Sequence, residues 1–260
     1  MTSPAPTIRP NLFKQGLRAR KKQPGIWLTL ESPNVTEIIA GAGYSWMLLD
    51  MEHTSLDLSQ VADHIRAAQG GTAELMVRMP WNDSIMFKRL LDTGVRTFMV
   101  PYVQSAEEAQ RAVAATRYPP QGIRGVSGTS RATAWGRIKE YAQKYQEAHC
   151  IVVQIESPVA IAAIPQIGAV DGVDGLFVGP NDLAASMGLF GKTGAPEVKA
   201  AIAQALRAIE ATGKAPGILN FVPAESRELS KMGYDFIAVG GDTHMIARRS
   251  ESLLAEMLAS

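Results

Sequence analysis

Apolar runs of four to six residues recur eight times along this chain, each followed by a stretch with helical periodicity. Few folds accept that alternation. The runs fall at 25–30, 46–50, 74–78, 97–100, 150–155, 175–178, 216–219 and 236–239. The helical stretches fall at 34–42, 58–68, 83–92, 106–116, 158–167, 196–212, 224–232 and 243–258. Asn82, Asp83 and Ser105 read as helix caps, and Pro158 and Pro196 stand at first-turn positions. Eight strand–helix units predict a single α/β domain folded as a (β/α)8 TIM barrel, which takes roughly 250 residues. An open doubly wound sheet is the runner-up, weakened because no Gly-x-Gly-x-x-Gly follows the first strand. Residues 1–24 are expected to form an extension with a lead-in helix, and 25–260 the barrel.

Bulk properties close off other classes. At 260 residues and 46% hydrophobic, the chain can bury a large core. A net charge of +1 gives no electrostatic case for nucleic acid or an anionic membrane, and the basic cluster 18–22 reads as a solvated helix face. No apolar run approaches the ~20 residues needed to span a bilayer, and 1–10, with three prolines, is unlike a signal peptide. The lone Cys150 opens an apolar strand and reads as a buried thiol, so a cytoplasmic location is expected. The segment 117–138, rich in Gly, Ser, Thr and Arg, is too long for an ordinary connection. It is expected to be a functional loop or an oligomer contact.

Several strands end abruptly in charged residues. Parallel α/β enzymes build active sites at the C-terminal ends of their strands, so these endings point to an enzyme. The second run delivers Asp50, Glu52 and His53, and the third ends in Arg78. The fifth ends in Gln154-Ile155-Glu156, whose two polar side chains share a face by the strand period of two. The sixth leads into Gly179-Pro180-Asn181-Asp182. For any one of these the plain alternative is a salt-bridged rim; their convergence argues against it.

Glu156 and Asp182 are candidate ligands for a hard divalent cation such as Mg²⁺ or Mn²⁺, with positions left for water or substrate. Zinc held by protein alone is disfavoured, because His53, His64, His149 and His244 are scattered. His64 and His149 read as structural, and His244 as a weaker rim candidate. Arg78 offers a planar fork for a carboxylate or developing oxyanion, and His53 is the natural base at neutral pH. The combination describes enolate chemistry on a 2-oxo acid. A Schiff-base route is disfavoured, since no lysine falls inside a strand pointing into the barrel. The 240–243 turn could receive a phosphate, although Asp242 as a helix cap explains it more simply.

Read in order, Gly25-Ile-Trp-Leu28, Leu49-Asp-Met-Glu-His53, Val77-Arg-Met-Pro-Trp-Asn-Asp83, Arg117-Tyr-Pro-Pro-Gln-Gly-Ile-Arg-Gly125, Val153-Gln-Ile-Glu156 and Val178-Gly-Pro-Asn-Asp-Leu183 resemble the HpcH/HpaI aldolase family, the metal-dependent (class II) 2-keto-acid aldolases. The resemblance implies a barrel of the phosphoenolpyruvate/pyruvate-binding type that cleaves 4-hydroxy-2-oxo acids to pyruvate and an aldehyde. It implies Mg²⁺, Mn²⁺ or Co²⁺ on Glu156 and Asp182, and pyruvate on Arg78 and Gln154 with backbone amides near Gly179–Asp182. It implies His53 as base, acting through water and supported by Asp50. It also implies a homohexamer in which Asp92 reaches a neighbouring subunit's site. Asn181 stands where a smaller residue is common in the family, and the 125–137 loop is short; both leave the aldehyde open. Two other readings compete: a lyase acting on acyl-coenzyme A esters, and a barrel that binds a ligand without catalysis.

Overall fold

The computed structural model describes residues 6–259, so part of the expectation for residues 1–10 lies outside the described residues. Eight parallel strands close into a barrel in sequence order. They are β1 (Gln23–Leu28), β2 (Trp46–Asp50), β3 (Glu74–Arg78), β4 (Thr97–Val100), β5 (Cys150–Ile155), β6 (Gly175–Val178), β7 (Ala215–Leu219) and β8 (Phe236–Gly241). Ahead of the barrel comes α1 (Leu12–Arg18). Around it run α2 (Pro33–Ala40), α3 (Leu58–Ala67), α4 (Ser84–Thr93), α5 (Ala106–Thr116), α6 (Tyr141–Ala148), α7 (Pro158–Gly168), α8 (Pro180–Ser186), α9 (Pro196–Ala211), α10 (Pro223–Met232) and α11 (Asp242–Leu258). The (β/α)8 barrel expected from the alternation is the observed fold.

Strand periodicity divides the core in two. Met47 and Leu49, Val77, Ile151 and Val153, Leu176 and Val178 face outward and pack beneath the helices. Trp46 and Leu48, Met76, Met99, Val152 and Phe177 face inward with Phe236. The inward rows fix the chemistry of each end. Asp50 is the next inward residue after Leu48, and Arg78 the next after Met76; the two are register partners across β2 and β3. Gln154 continues the row of Cys150 and Val152. Polar side chains therefore crowd one mouth of the barrel because the pleat puts them there.

The other mouth is plugged. Phe13 and Leu17 of α1 are buried against Trp46 and Phe236, with ring centroids of Phe13 at 5.9 and 5.6 Å from them. Asn11 caps α1 and ties it to the barrel through Thr97 Oγ1 (2.8 Å) and Ala148 O (2.9 Å). Asp83 and Ser105 cap α4 and α5 as expected, accepting from Met86 N and Glu108 N.

One strand boundary and two additional helices stand out as departures from the sequence reading. β1 is Gln23–Leu28 rather than 25–30, because the amides of Thr29 and Leu30 donate to the Asp242 carboxylate (2.9 and 3.0 Å) instead of a ladder. The long segment after α5 ends in a helix, α6, that was not anticipated. It has no side-chain cap, and its buried anchors are Tyr141, Tyr145 and Ala148. Between β6 and β7 there are two helices, since Pro180 starts α8 directly at the strand end.

Candidate active site

The open mouth is organised around one guanidinium. Arg78 donates from Nε to Asp50 Oδ1 (2.9 Å) and from Nη2 to Oδ2, and its Nη1 lies 2.8 Å from Glu52 Oε2. Trp27 adds its indole N–H to Asp50 Oδ2 (3.1 Å) and lies 5.0 Å beneath the guanidinium. Burial alone would lift the Asp50 pKa, but the Arg78 bonds override it and hold the carboxylate below its ordinary range. Burial likewise opposes the Arg78 charge, and Asp50 more than compensates, so that pKa is raised. Arg78 is thus a permanently charged fork aimed by its neighbours.

Asp50 supports His53 differently from expectation. Its oxygens are committed to Arg78 and Trp27, and it reaches His53 only through the backbone amide (3.4 Å). The carboxylate nearest the imidazole is Glu52, 3.9 Å from Nε2. The His53 side chain is 62% exposed, so it stands at the entrance, open to solvent.

Across the mouth, Glu156 is buried yet unpaired with any cation. Its Oε1 accepts from Gln154 Nε2 and its Oε2 from Tyr102 N, both at 2.9 Å. Tyr102 takes a left-handed conformation (φ 52°), uncommon for a residue with a side chain, in the turn that presents this amide. Burial pushes the Glu156 pKa up to about 7; the Tyr102 bond resists, and Asp182 and Glu52 add to the rise. Glu52 is raised too, first by burial. Gly179 lies against Glu156 so closely that a Cβ would overlap its carboxylate. Asp182 projects from the first turn of α8.

A cleft of about 140 Å³ joins these groups. Of the residues expected to form the site, His53, Arg78, Gln154, Glu156, Gly179, Pro180, Asn181 and Asp182 line it. Asp50 lies behind Arg78. Trp27, Phe177, Leu219 and Phe221 complete the walls and were not singled out from the sequence, where inward-facing aromatics look like any core residue. Asp92 does not line the cleft. It sits on α4, 3.5 Å from Arg124, a buried guanidinium surrounded by Tyr118, Tyr141 and Tyr145. A larger groove of about 900 Å³ crosses the plugged end, but its buried acid, Glu74, is already paired with Arg96. Size does not locate the chemistry here; unspent charge does.

The cleft suits a divalent cation. Glu52, Glu156 and Asp182 meet one Arg78 already shared with Asp50, and Gln154 Oε1 is buried without a partner. The surplus is negative and oxygen-rich, as a hard cation requires. No cluster of three or more His, Cys, Asp or Glu side chains able to hold a metal occurs among the described residues, so only two carboxylates and external ligands would serve. His64 is buried and bonded to Thr36, and His149 is buried beside Tyr145, both structural as expected. Cys150 is buried in the barrel interior. Asp242 accepts from the amides of Thr29, Leu30 and Thr243, so its carboxylate ties the end of β1 to the first turn of α11.

Together these features define a TIM-barrel enzyme with acidic, cation-seeking groups and a clamped arginine at its catalytic mouth. The family model for HpcH/HpaI aldolase/citrate lyase matches residues 23–248, and the chain belongs to that family of lyases. A relative from Shigella sonnei, named 4-hydroxy-2-oxo-heptane-1,7-dioate aldolase, is 47% identical over 246 residues, 94% of each chain. The crystal structure of an HpcH/HpaI aldolase/citrate lyase family protein from Burkholderia cenocepacia superposes with a TM-score of 0.92 at 38% identity, covering 95% of this chain and 99% of that one. An HpcH/HpaI aldolase from Desulfitobacterium hafniense gives 0.85 at 29%, covering 94% and 95%.

Proposed function

We propose that this chain is a divalent-metal-dependent aldolase that cleaves 4-hydroxy-2-oxo acids to pyruvate, or a related 2-oxo acid such as hydroxypyruvate, and an aldehyde. The reverse addition would use the same enolate. The observation that carries the reading is the facing of Arg78 against Glu156 and Asp182 across one small cleft. Mg²⁺, Mn²⁺ or Co²⁺ held by Glu156 and Asp182 would supply Lewis-acid polarisation of the 2-oxo group. The residues of the chain supply the rest. Two of the five N–H groups of Arg78 are hydrogen-bonded to Asp50, and Nη1 is ion-paired with Glu52 without a hydrogen bond, which leaves N–H groups for a carboxylate or enolate oxygen in the cleft. Gln154, beside Glu156, orients that carboxylate and leaves its own oxygen for a further ligand. His53, at the entrance and next to Glu52, moves a proton at the hydroxyl of the cleaved bond or at the pyruvate methyl carbon. Assembly as a homohexamer, with Asp92 serving a neighbouring site, and a cytoplasmic location rest on the family resemblance and the lone buried thiol. Among the described residues no helix is long and apolar enough to cross a membrane.

Exchange of pyruvate methyl protons with deuterated water, followed by NMR, tests the reading. The protein with Mn²⁺ is expected to exchange them, and excess EDTA to stop it. His53→Ala is expected to slow exchange by roughly 100- to 10,000-fold, the usual worth of a positioned acid–base group. Undiminished exchange in EDTA would remove the metal from the mechanism.

A further inference from the structure

The chain leaves β4 through a turn that is tied, residue by residue, to the end of β5. The two strands run side by side, with Val100 opposite Val153. Beyond them, Tyr102 N donates to Glu156 Oε2 (2.9 Å) and Val103 N to Gln154 O (3.2 Å). Ser157 Oγ then donates to Gln104 Oε1 (2.9 Å). Pro101 and Val103 are buried and pin the turn from either side. Tyr102 between them is pushed outward, 37% exposed, and its ring is not among the walls of the cleft.

With φ at 52°, Tyr102 occupies the left-handed region, which is unfavourable for a residue with a side chain and persists where the surroundings over-determine it. Ala134 and Trp135 share that conformation but line the groove at the plugged end, and Arg20 pairs with Asp235. Tyr102 is the one whose amide bonds a wall of the cleft. With Val103 fixed, a right-handed or extended residue at 102 would swing this N–H away from Glu156. The other carboxylate oxygen, Oε1, is held by Gln154 Nε2 at 2.9 Å. One bond to each oxygen fixes the plane of the carboxylate. Each oxygen carries two lone pairs, so each keeps one for a cation.

We propose that Tyr102 is a positioning residue for the cation. Its left-handed backbone, and not its phenol, holds the Glu156 carboxylate in the orientation that binds a divalent ion, before any ion arrives. The inference rests on the metal-dependent aldolase reading and adds to it the backbone conformation that sets the affinity. Position 102 then accepts residues that enter the left-handed region readily, Gly and Asn, and rejects β-branched ones.

The test is Mn²⁺ binding, followed through the electron paramagnetic resonance of the free ion, with no substrate and no turnover. Tyr102→Val is expected to raise the Kd roughly 10- to 100-fold, the usual worth of a group that orients a metal ligand. Tyr102→Gly and Tyr102→Asn lose the phenol and keep the conformation, and are expected to bind Mn²⁺ as the wild type does. Amide hydrogen exchange needs no variant and holds even if Tyr102→Val does not fold. In EDTA the wild-type Tyr102 amide is expected to be protected, although the residue is exposed. Three results overturn the positioning role and leave the aldolase reading standing: an unchanged Kd in Tyr102→Val, Gly and Asn variants as weak as the Val variant, or an unprotected amide. A wild type that binds no Mn²⁺ overturns the metal-dependent reading, and the role of Tyr102 with it.

Discussion

Arg78 shows how one side chain is turned into a tool by its neighbours. Its head is buried, hydrogen-bonded to Asp50, ion-paired with Glu52, and laid over Trp27. Lysine at that position keeps a charge but lacks the planar fork, so it can neither pair with Asp50 along two parallel bonds nor stack on the indole. Arg78→Lys is therefore expected to cut turnover at least ~100-fold, comparable to removing one oxyanion donor. Circular dichroism and a steady-state assay separate the effect from misfolding. Near-normal turnover would make Arg78 a structural ion pair. Glu156 and Tyr102 carry a related lesson. The carboxylate could be found from its place at a strand end, but the amide that holds it depends on a left-handed backbone at Tyr102, which no local sequence signal announces.

Among the elements, α1 contributes most from outside the repeat. It is short, with seven residues, and isolated helices of that length are not stable in water. Packing holds it. Phe13 is 1% exposed and meets Trp46 and Phe236 at the barrel axis. Phe13→Ala is expected to cost about 3–5 kcal/mol in urea unfolding, the range for a buried phenylalanine, and to leave proton exchange at the opposite mouth intact in the folded protein. A loss under about 1 kcal/mol would mean that α1 lies on the barrel rather than plugging it. The same reasoning explains why α6 escaped the sequence reading. Its helix depends on Tyr141 and Tyr145 packing with Tyr118 and Arg124, partners from a different stretch of chain. Where a cap and a periodic face were both local, as in α4 and α5, the helix was legible.

At the scale of the whole molecule the excess of carboxylates at one mouth couples folding to pH and to cations. Glu156 titrates near about 7 in the folded chain, against roughly 4.3 when unfolded. A group that holds its proton more tightly when folded stabilises the fold below the unfolded pKa, and that contribution is lost as pH rises through the folded value. In EDTA, this group is expected to lower the thermal midpoint progressively from about pH 4.3 to about pH 7 and then leave it level. Mn²⁺ competes with the proton for the same carboxylate, so its stabilisation should be largest at pH 8 and fade below pH 7. Melting curves with and without Mn²⁺ across that range check both. A midpoint blind to Mn²⁺ at pH 8 would argue against a cation site at Glu156.

The barrel and its working end were written in the chain itself. Eight apolar runs with alternating helices admit few closures, and a strand period of two sends Asp50, Arg78, Gln154 and Glu156 to the same side of the pleat as the core residues before them. What the sequence alone determined is therefore which residues reach the mouth. Which of them are spent and which remain free was decided by tertiary structure. Asp50 is consumed by Arg78 and Trp27, Asp242 by the end of β1, and Glu156 is left facing Asp182 without a cation. Such pairings join residues up to 213 positions apart and hang on side-chain reach across the barrel. Local patterning carries no information about that distance; only the closed ring supplies it.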